Sequence, residues 1–169
     1  MILDHQSLVI YKHIEIEMKK NKTIVFGIGN IGRQDDGLGW LFLDFLKEKQ
    51  FIHLDLEYRY QLQIEDAELI TKYDTVIFVD AVKSDLEKGY FFKECKSSAK
   101  YSFSTHELAP ETILYLAESL YDHKPKTYIL GIEGSQWNLE IGLTDKAKFN
   151  FKKAKKYFTE SMVFPQTVI

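Results

Sequence analysis

The sequence has a single cysteine, Cys95, so the chain cannot form an internal disulfide. A chain without disulfides suits a reducing compartment and must obtain its stability from a hydrophobic core. No apolar run approaches the roughly 18–20 residues that a membrane span needs, and the first residues show no signal-peptide pattern. These features predict a cytoplasmic protein that does not insert into a membrane.

The sequence also lacks an excess of either charge, because 22 Lys and Arg residues stand against 25 Asp and Glu residues. No Lys/Arg cluster is dense enough to predict nucleic-acid binding. At 169 residues and 45% hydrophobic content, the chain is large enough for one domain with a full core. We assign residues 1–22 to an amino-terminal extension, with an edge strand or a short helix around residues 14–18, and residues 23–169 to a single α/β domain.

The central stretch runs from Thr23 to Leu46 and has the sequence TIVFGIGNIGRQDDGLGWLFLDFL. Its apolar start predicts a buried strand at Thr23–Ile28, and the glycines that follow predict a turn. From Leu38 onward, apolar residues recur at helical spacing, which predicts a helix from about Asp36 to Lys49. Strand, glycine turn and helix form the opening unit of an α/β domain, whose ligands bind outside the carboxyl ends of the strands.

The remaining elements follow from the same patterns of periodicity and turn residues. The apolar run VIFV, which ends in Asp80, predicts a central strand covered on both faces. The strand after it follows a short loop without a helix, so we expect an antiparallel neighbour. The predicted elements are strand His53–Leu62, a short helix from Glu65, strand Val76–Val79, strand Tyr90–Glu94, helix Ala109–Tyr121, strand Thr127–Ile132, and helix Asp145–Ser161 capped by Thr144.

Three polar residues stand where predicted strands or loops end. Of the adjacent acids Asp35 and Asp36, one can cap the helix while the other points into a cleft and stays ionised near the helix dipole. Asp80 either caps the next turn or is held at the working edge of the sheet for function. His106, in the loop STHE, is either an ordinary loop residue or a third member of the set. Two carboxylates and an imidazole suit a metal such as Zn, Ni or Cd, although the spacing matches no local metal motif.

Two other features allow a different chemistry. The run GIGNIG matches the dinucleotide-binding fingerprint, with Glu57 as a possible ribose acid. Against this, RQDDG intervenes before the helix, and two acids would repel a pyrophosphate. Cys95 has no evident base partner, so we interpret it as an inert structural thiol.

Four short motifs occur in order along the chain: GIGNIGRQDDGLG, VIFVDAV, STHELAP and GIEG…EIGLT. With them the chain resembles the hydrogenase maturation proteases, endopeptidases that trim the carboxyl-terminal extension from nickel-loaded hydrogenase large-subunit precursors. The resemblance runs from about Thr23 to the last helix. It implies a three-layer α/β/α sandwich with a mixed, mostly parallel five-stranded sheet of the phosphorylase/hydrolase-like kind, and our strand count agrees with that.

The resemblance also implies a site. The metal-contacting residues of the family fall on Asp36, Asp80 and His106, with Asp36 and Asp80 as the catalytic acids of an aspartyl or metal-dependent endopeptidase. Gly29 and Asn30 of the glycine turn fall among the substrate-binding positions. No permanent cofactor is expected, because the substrate supplies the nickel; Zn or Cd could take its place in a crystal. The expected partner is the nickel-containing precursor, and the expected enzyme is a cytoplasmic monomer that activates hydrogenase.

One segment departs from the family pattern. Where members carry Asp-Gly-Gly, this chain has YQLQIEDAEL, with Gln61 and Gln63 in place of small glycines. Period-2 alternation places both amides on one face, so we predict that one of them projects into the cleft beside Asp36; otherwise both are solvated. The departure leaves open a divergent member, such as a non-cleaving chaperone or checkpoint for the nickel site.

Overall fold

The computed structural model describes residues 21–51, 53–99 and 108–161. Five strands in these ranges form one sheet. The strands are β1 (Thr23–Ile28), β2 (Leu54–Arg59), β3 (Thr75–Val82), β4 (Tyr90–Glu94) and β5 (Lys126–Glu133). Their order is β2-β1-β3-β5-β4, with β4 antiparallel and the others parallel. The predicted mixed, mostly parallel sheet is therefore confirmed.

Helices cover both faces of the sheet. They are α1 (Leu38–Glu48), the single turn α2 (Asp66–Leu69), α3 (Pro110–Tyr121) and α4 (Asp145–Ser161), with short 3-10 segments at Gln34–Gly37 and Ile70–Lys72. Apolar residues of α1 and α4 pack against one face of β1, β3 and β5, and residues of α2 and α3 pack against the other. Because alternate residues of these strands point to opposite faces, each strand contributes to both cores.

The position of β4 corrects one prediction. We expected it to pair with the strand before it, but β5 lies between β3 and β4, and Phe92 of β4 stands opposite Leu130 of β5. β5 is buried along most of its length, which suits an internal position between β3 and β4. β4 carries the exposed residues Lys93 and Glu94 and suits an edge, where charged side chains reach water.

Most predicted boundaries agree with the structure within a few residues. The first helix begins as a 3-10 turn before Leu38, and β2 ends at Arg59, short of the predicted Leu62, which forms an isolated bridge with Leu108. The expectation for residues 14–18 lies outside the described residues. Within the described ranges, no helix has both the length and the apolar character to cross a membrane.

Candidate active site at the carboxyl ends of the parallel strands

A cavity of about 780 Å3 opens at the carboxyl ends of β1 and β3. The chain leaves these two neighbouring strands in opposite directions, so the cavity lies at a topological switch point, where α/β proteins bind their ligands. Its lining includes Gly29, Asn30, Arg33 and Asp36 from the turn after β1, Gln61 after β2, Asp80 and Lys83 at the end of β3, and Trp137 after β5.

The glycine turn is folded closely around the backbone of Asp36. Gly29 has a φ of 128°, and a Cβ at this position would stand 1.9 Å from the carbonyl oxygen of Asp36. That oxygen accepts a hydrogen bond from the amide of Asn30 at 3.1 Å. Asn30 also accepts a bond from the amide of Gly32 through its side chain, at 2.8 Å, which closes the turn. A glycine is therefore required here because of both conformation and space.

Helix α1 approaches the strands closely because its second residue is a glycine. A Cβ on Gly39 would stand 2.3 Å from the carbonyl oxygen of Ile28 and 2.6 Å from that of Val79. The first turn of α1 thus rests directly on the ends of β1 and β3. This contact holds Asp36, three residues earlier, at the edge where β3 delivers Asp80.

The adjacent acids Asp35 and Asp36 have different roles, and neither side chain caps α1. Asp35 is fully buried. Its Oδ2 accepts bonds from the amides of Ser135 at 2.7 Å and Gln136 at 3.1 Å and from the hydroxyl of Thr144 at 2.7 Å. Asp36 is half-buried and lines the cavity. The expectation that one acid caps this helix was wrong, because Asp35 binds a distant loop instead.

Burial by itself would raise the pKa of Asp35, since desolvation disfavours the charged form. The backbone and side-chain donors of Ser135, Thr144 and Gln136 outweigh that effect and hold the pKa below its usual value. Asp35 is therefore a buried structural carboxylate that stays ionised at neutral pH.

Gln34 also binds the loop that Asp35 contacts, which consists of residues 134–144 between β5 and α4. It has a φ of 49°, which is uncommon for a residue with a side chain. Its amide donates to the carbonyl oxygen of Glu140 at 2.8 Å, and its Oε1 accepts from the amide of Asn138 at 3.2 Å. These bonds offset the cost of the left-handed backbone, which is typically about 1–3 kcal/mol. The pattern RQDD gave no signal for this contact, because its partners are more than 100 residues away.

Asp80 lies inside β3, which continues to Val82, so it is a strand residue and not a cap. It stands in register with Gly131 of β5, and it lines the cavity together with Asp36. The structure thus brings the two predicted acids to one cleft. His106 lies outside the described residues. Within the described ranges no three His, Cys, Asp or Glu side chains form a group that could hold a metal ion.

The two glutamines of the divergent segment differ in position. Gln61 is among the residues that line the cavity, whereas Gln63 is not. Both are exposed, and the amide nitrogen of the Gln63 side chain donates to the backbone oxygen of Gln61 at 3.3 Å. Of the two amides, the structure favours Gln61 for a role in the cleft.

Most amides in and just after the fingerprint GIGNIG already have hydrogen-bond partners within the protein. The amide of Gly29 donates to Arg59, that of Asn30 to Asp36, that of Gly32 to the Asn30 side chain, and that of Arg33 to the Asn30 carbonyl. Glu57, the suggested ribose acid, is paired with Arg59 at 2.7 Å. A Rossmann-type phosphate site depends on such amides, so the nucleotide interpretation loses its physical basis here.

Cys95 is buried under α3 and away from the cleft. Burial raises the pKa of its thiol to about 12, and the carboxylate of Glu111 adds to that shift. A thiol with this pKa stays protonated at neutral pH and is a poor nucleophile. The burial of Cys95 agrees with a structural role, and its lack of reactivity stays a prediction.

No protein-family model matches the chain, and no curated protein sequence matches it. Solved structures do match. The hydrogenase maturating endopeptidase HybD from E. coli has a TM-score of 0.64 at 16% identity, covering 83% of this chain and 91% of its own. The [NiFe] hydrogenase maturation protease HycI from Thermococcus kodakarensis has a TM-score of 0.64 at 21% identity, with the same 83% and 91% coverage.

A third similar structure is the hydrogenase 2 maturation peptidase from a Thaumarchaeota archaeon, with a TM-score of 0.61 at 20% identity, covering 85% of this chain and 99% of its own. Identities this low show a shared fold. The chain therefore has the fold of hydrogenase maturation proteases, as its resemblance to that family implied.

Proposed function

We propose that the protein is an endopeptidase that removes the carboxyl-terminal extension from a nickel-loaded hydrogenase large-subunit precursor. The observation that carries the proposal is the meeting of Asp36 and Asp80 in one open cavity at the switch point of the sheet. The fold shared with solved maturation proteases supports it. The proposal includes a monomeric enzyme that acts in the cytoplasm and activates hydrogenase.

In this proposal the nickel is part of the substrate, and Asp36, Asp80 and His106 recognise it. Carboxylate and imidazole are chemically reasonable ligands for Ni2+, and Zn2+ or Cd2+ could replace it experimentally. The two carboxylates come from separate elements, the turn after β1 and the strand β3. The glycine turn and the seating of α1 on the strand ends supply the rigidity that such a constellation needs.

The cleft offers carboxylates and no cysteine, so we propose that water is the nucleophile. The substrate's metal polarises the carbonyl of the bond to be cut, while Asp36 or Asp80 takes a proton from the attacking water. The bond from water oxygen to carbonyl carbon forms, and the proton passes to the leaving amine as the C–N bond breaks. Cys95 cannot replace the water, because its thiol is buried on the other side of the sheet from α1.

The test is to mix the purified protein with nickel-loaded and nickel-free precursor and to look for a shortened product by mass spectrometry. We expect shortening of the nickel-loaded form alone. Asp36→Asn and Asp80→Asn should each lower the rate at least about 100-fold, a typical loss for a catalytic acid or base. Asp44→Asn is the matched control, because Asp44 is an exposed acid of α1 outside the cavity lining, and its carboxylate accepts a hydrogen bond from the hydroxyl of Tyr58 at 2.8 Å.

Binding of the nickel-loaded precursor without any shortening would contradict the peptidase and favour a non-cleaving chaperone or checkpoint. A loss of rate as large for Asp44→Asn as for the cleft variants would show that the effect is not specific to the cleft.

A further inference from the structure

Trp137 forms a wall that two cavities share. It lines the cavity of Asp36 and Asp80, and it also lines a second cavity of about 690 Å3 beside the β3–β4 loop. Lys83 is the other residue that lines both, and its ammonium group stands 4.6 Å from the centre of the Trp137 ring. A chain that leaves the first cavity over this wall would enter the second one.

The loop that carries Trp137 is held in place by its own glycine and by the buried Asp35. A Cβ on Gly134 would stand 2.7 Å from the Cβ of Asp35 and 3.1 Å from the Trp137 ring, so only glycine leaves room for both. The carboxylate of Asp35 also accepts hydrogen bonds from the amides of Ser135 and Gln136, the two residues before the tryptophan. The ring is therefore a preorganised, half-buried surface, which lowers the entropic cost of binding a ligand.

Both cavities are lined by acids and cations together, and in the second cavity the acids are Asp85 and Glu133. The acids Asp36 and Asp80 line it together with the exposed cations Arg33 and Lys83. Within the described parts of the chain, neither of these cations has an ion-pair partner, whereas Lys146 of the second cavity is paired with the buried Glu133. Lys83 is thus a cation that is available to a ligand on the path between the two cavities.

We propose that the substrate binds as an extended peptide that passes from the cleft over the Trp137 ring into the second cavity, where Lys83 pairs with a carboxylate of that segment. The inference rests on the proposed function for the peptide nature of the substrate. The aromatic face contacts the peptide and its apolar side chains. The ammonium of Lys83 keeps its contact with the ring and adds selectivity for an acidic segment.

The test is an NMR titration that needs neither nickel nor cleavage. The protein has two tryptophans, and therefore two indole N–H signals, which the variant Trp137→Phe assigns. The probe is a seven-residue peptide with blocked ends in which valine alternates with glutamate; peptides with lysine or glutamine in place of glutamate are the comparisons. We expect the acidic peptide to shift the Trp137 signal more than the Trp40 signal and to bind more tightly than the neutral and basic peptides.

Two variants test the charge. Lys83→Met should weaken binding of the acidic peptide about three- to fivefold and leave binding of the neutral peptide unchanged, as expected for one exposed ion pair. Lys47→Met is the control, because it removes the same charge from an exposed position in the last turn of α1. Equal affinities for acidic and basic peptides, or equal effects of the two variants, would overturn the proposal.

The absence of any Trp137 shift at about 1 mM acidic peptide, the range of weak peptide binding, would also overturn it. Such a failure is distinguishable from failure of the proposed function. An enzyme that shortens the precursor without a Trp137 response refutes this substrate path alone. A protein that binds the acidic peptide at Trp137 but never shortens the precursor refutes the peptidase alone.

Discussion

Thr144 donates two hydrogen bonds to the buried carboxylate of Asp35, from its amide to Oδ1 at 2.8 Å and from its hydroxyl to Oδ2 at 2.7 Å. The same hydroxyl oxygen accepts a hydrogen bond from the amide of Ala147 at 3.2 Å. Thr144 is therefore the N-cap of α4, as predicted. One residue therefore connects the turn that carries Asp36 to the start of the last helix. The loop of residues 134–144, which carries Trp137, is held near both of its ends, because Ser135 and Thr144 both donate to Asp35.

The first prediction concerns this connection. Asp35→Asn should lower the free energy of unfolding by about 2–4 kcal/mol, because an amide NH2 group must face at least one of the donors that now meet a carboxylate oxygen. Urea denaturation at pH 7 measures the change. Asp145→Asn serves as the control, since Asp145 is exposed and contacts Lys148 at 3.3 Å, and it should change the stability by less than about 0.5 kcal/mol. Equal midpoints for wild type and Asp35→Asn would refute the structural role.

The second prediction concerns pH. The folded state holds the pKa of Asp35 below its usual value, so Asp35 contributes stability that is fully present above the unfolded pKa of about 3.9. That contribution is lost as the pH falls through the lower folded pKa. Glu133 acts with the same sign, because the ammonium of Lys146, and then the amide of Leu86, lower the pKa of its carboxyl.

The measurement is the free energy of unfolding between about pH 6 and pH 2 at constant ionic strength. Wild type should lose stability through the acid range, and Asp35→Asn should lose less over the same range, because it no longer takes up a proton at that site. A variant that follows the slope of the wild type would contradict the assignment of this pH dependence to Asp35.

The third prediction compares two glycines with positive φ. A Cβ at Gly29 would strike the backbone of Asp36, whereas at Gly142, with a φ of 107°, nothing stands within 4 Å. Gly29→Ala should displace Asp36 and reduce precursor shortening at least about 100-fold, as expected for a misplaced catalytic group. Gly142→Ala should cost about 1 kcal/mol of stability from backbone conformation alone and keep its activity. Similar activities for the two variants would show that the turn does not position the acid.

The fourth prediction separates the two glutamines. Gln61→Ala should weaken precursor shortening about fivefold, the value of one hydrogen bond, because Gln61 lines the cleft. Gln63→Ala should have almost no effect, since that side chain lies outside the cleft lining and is exposed. Measuring KM and kcat for both variants shows whether the amide acts in binding or in catalysis. If neither variant differs from wild type in activity or stability, both amides are surface residues and the idea is wrong.

Local patterns in the sequence were sufficient for most of the fold. The apolar runs of β1 and β3, the helical periodicity after Leu38, and Thr144 before the last helix each predict an element that the structure contains. These signals succeed because hydrophobic periodicity and capping depend on neighbours along the chain. The placement of Asp36 and Asp80 at one edge also follows locally, since Asp36 lies in the turn that follows β1 and Asp80 lies near the end of the parallel strand β3.

Only the tertiary structure decided which of two adjacent acids faces the cleft. Asp35 and Asp36 are equivalent in the sequence, but the partners of Asp35 lie 100 to 109 residues further along the chain. The same limit hid the place of β4 beside β5 and the position of Trp137 between two cavities. Each of these depends on contacts between distant segments, whose free energy no local pattern records. Local chemistry therefore determined the elements and the candidate acids, and long-range packing assigned each residue its role.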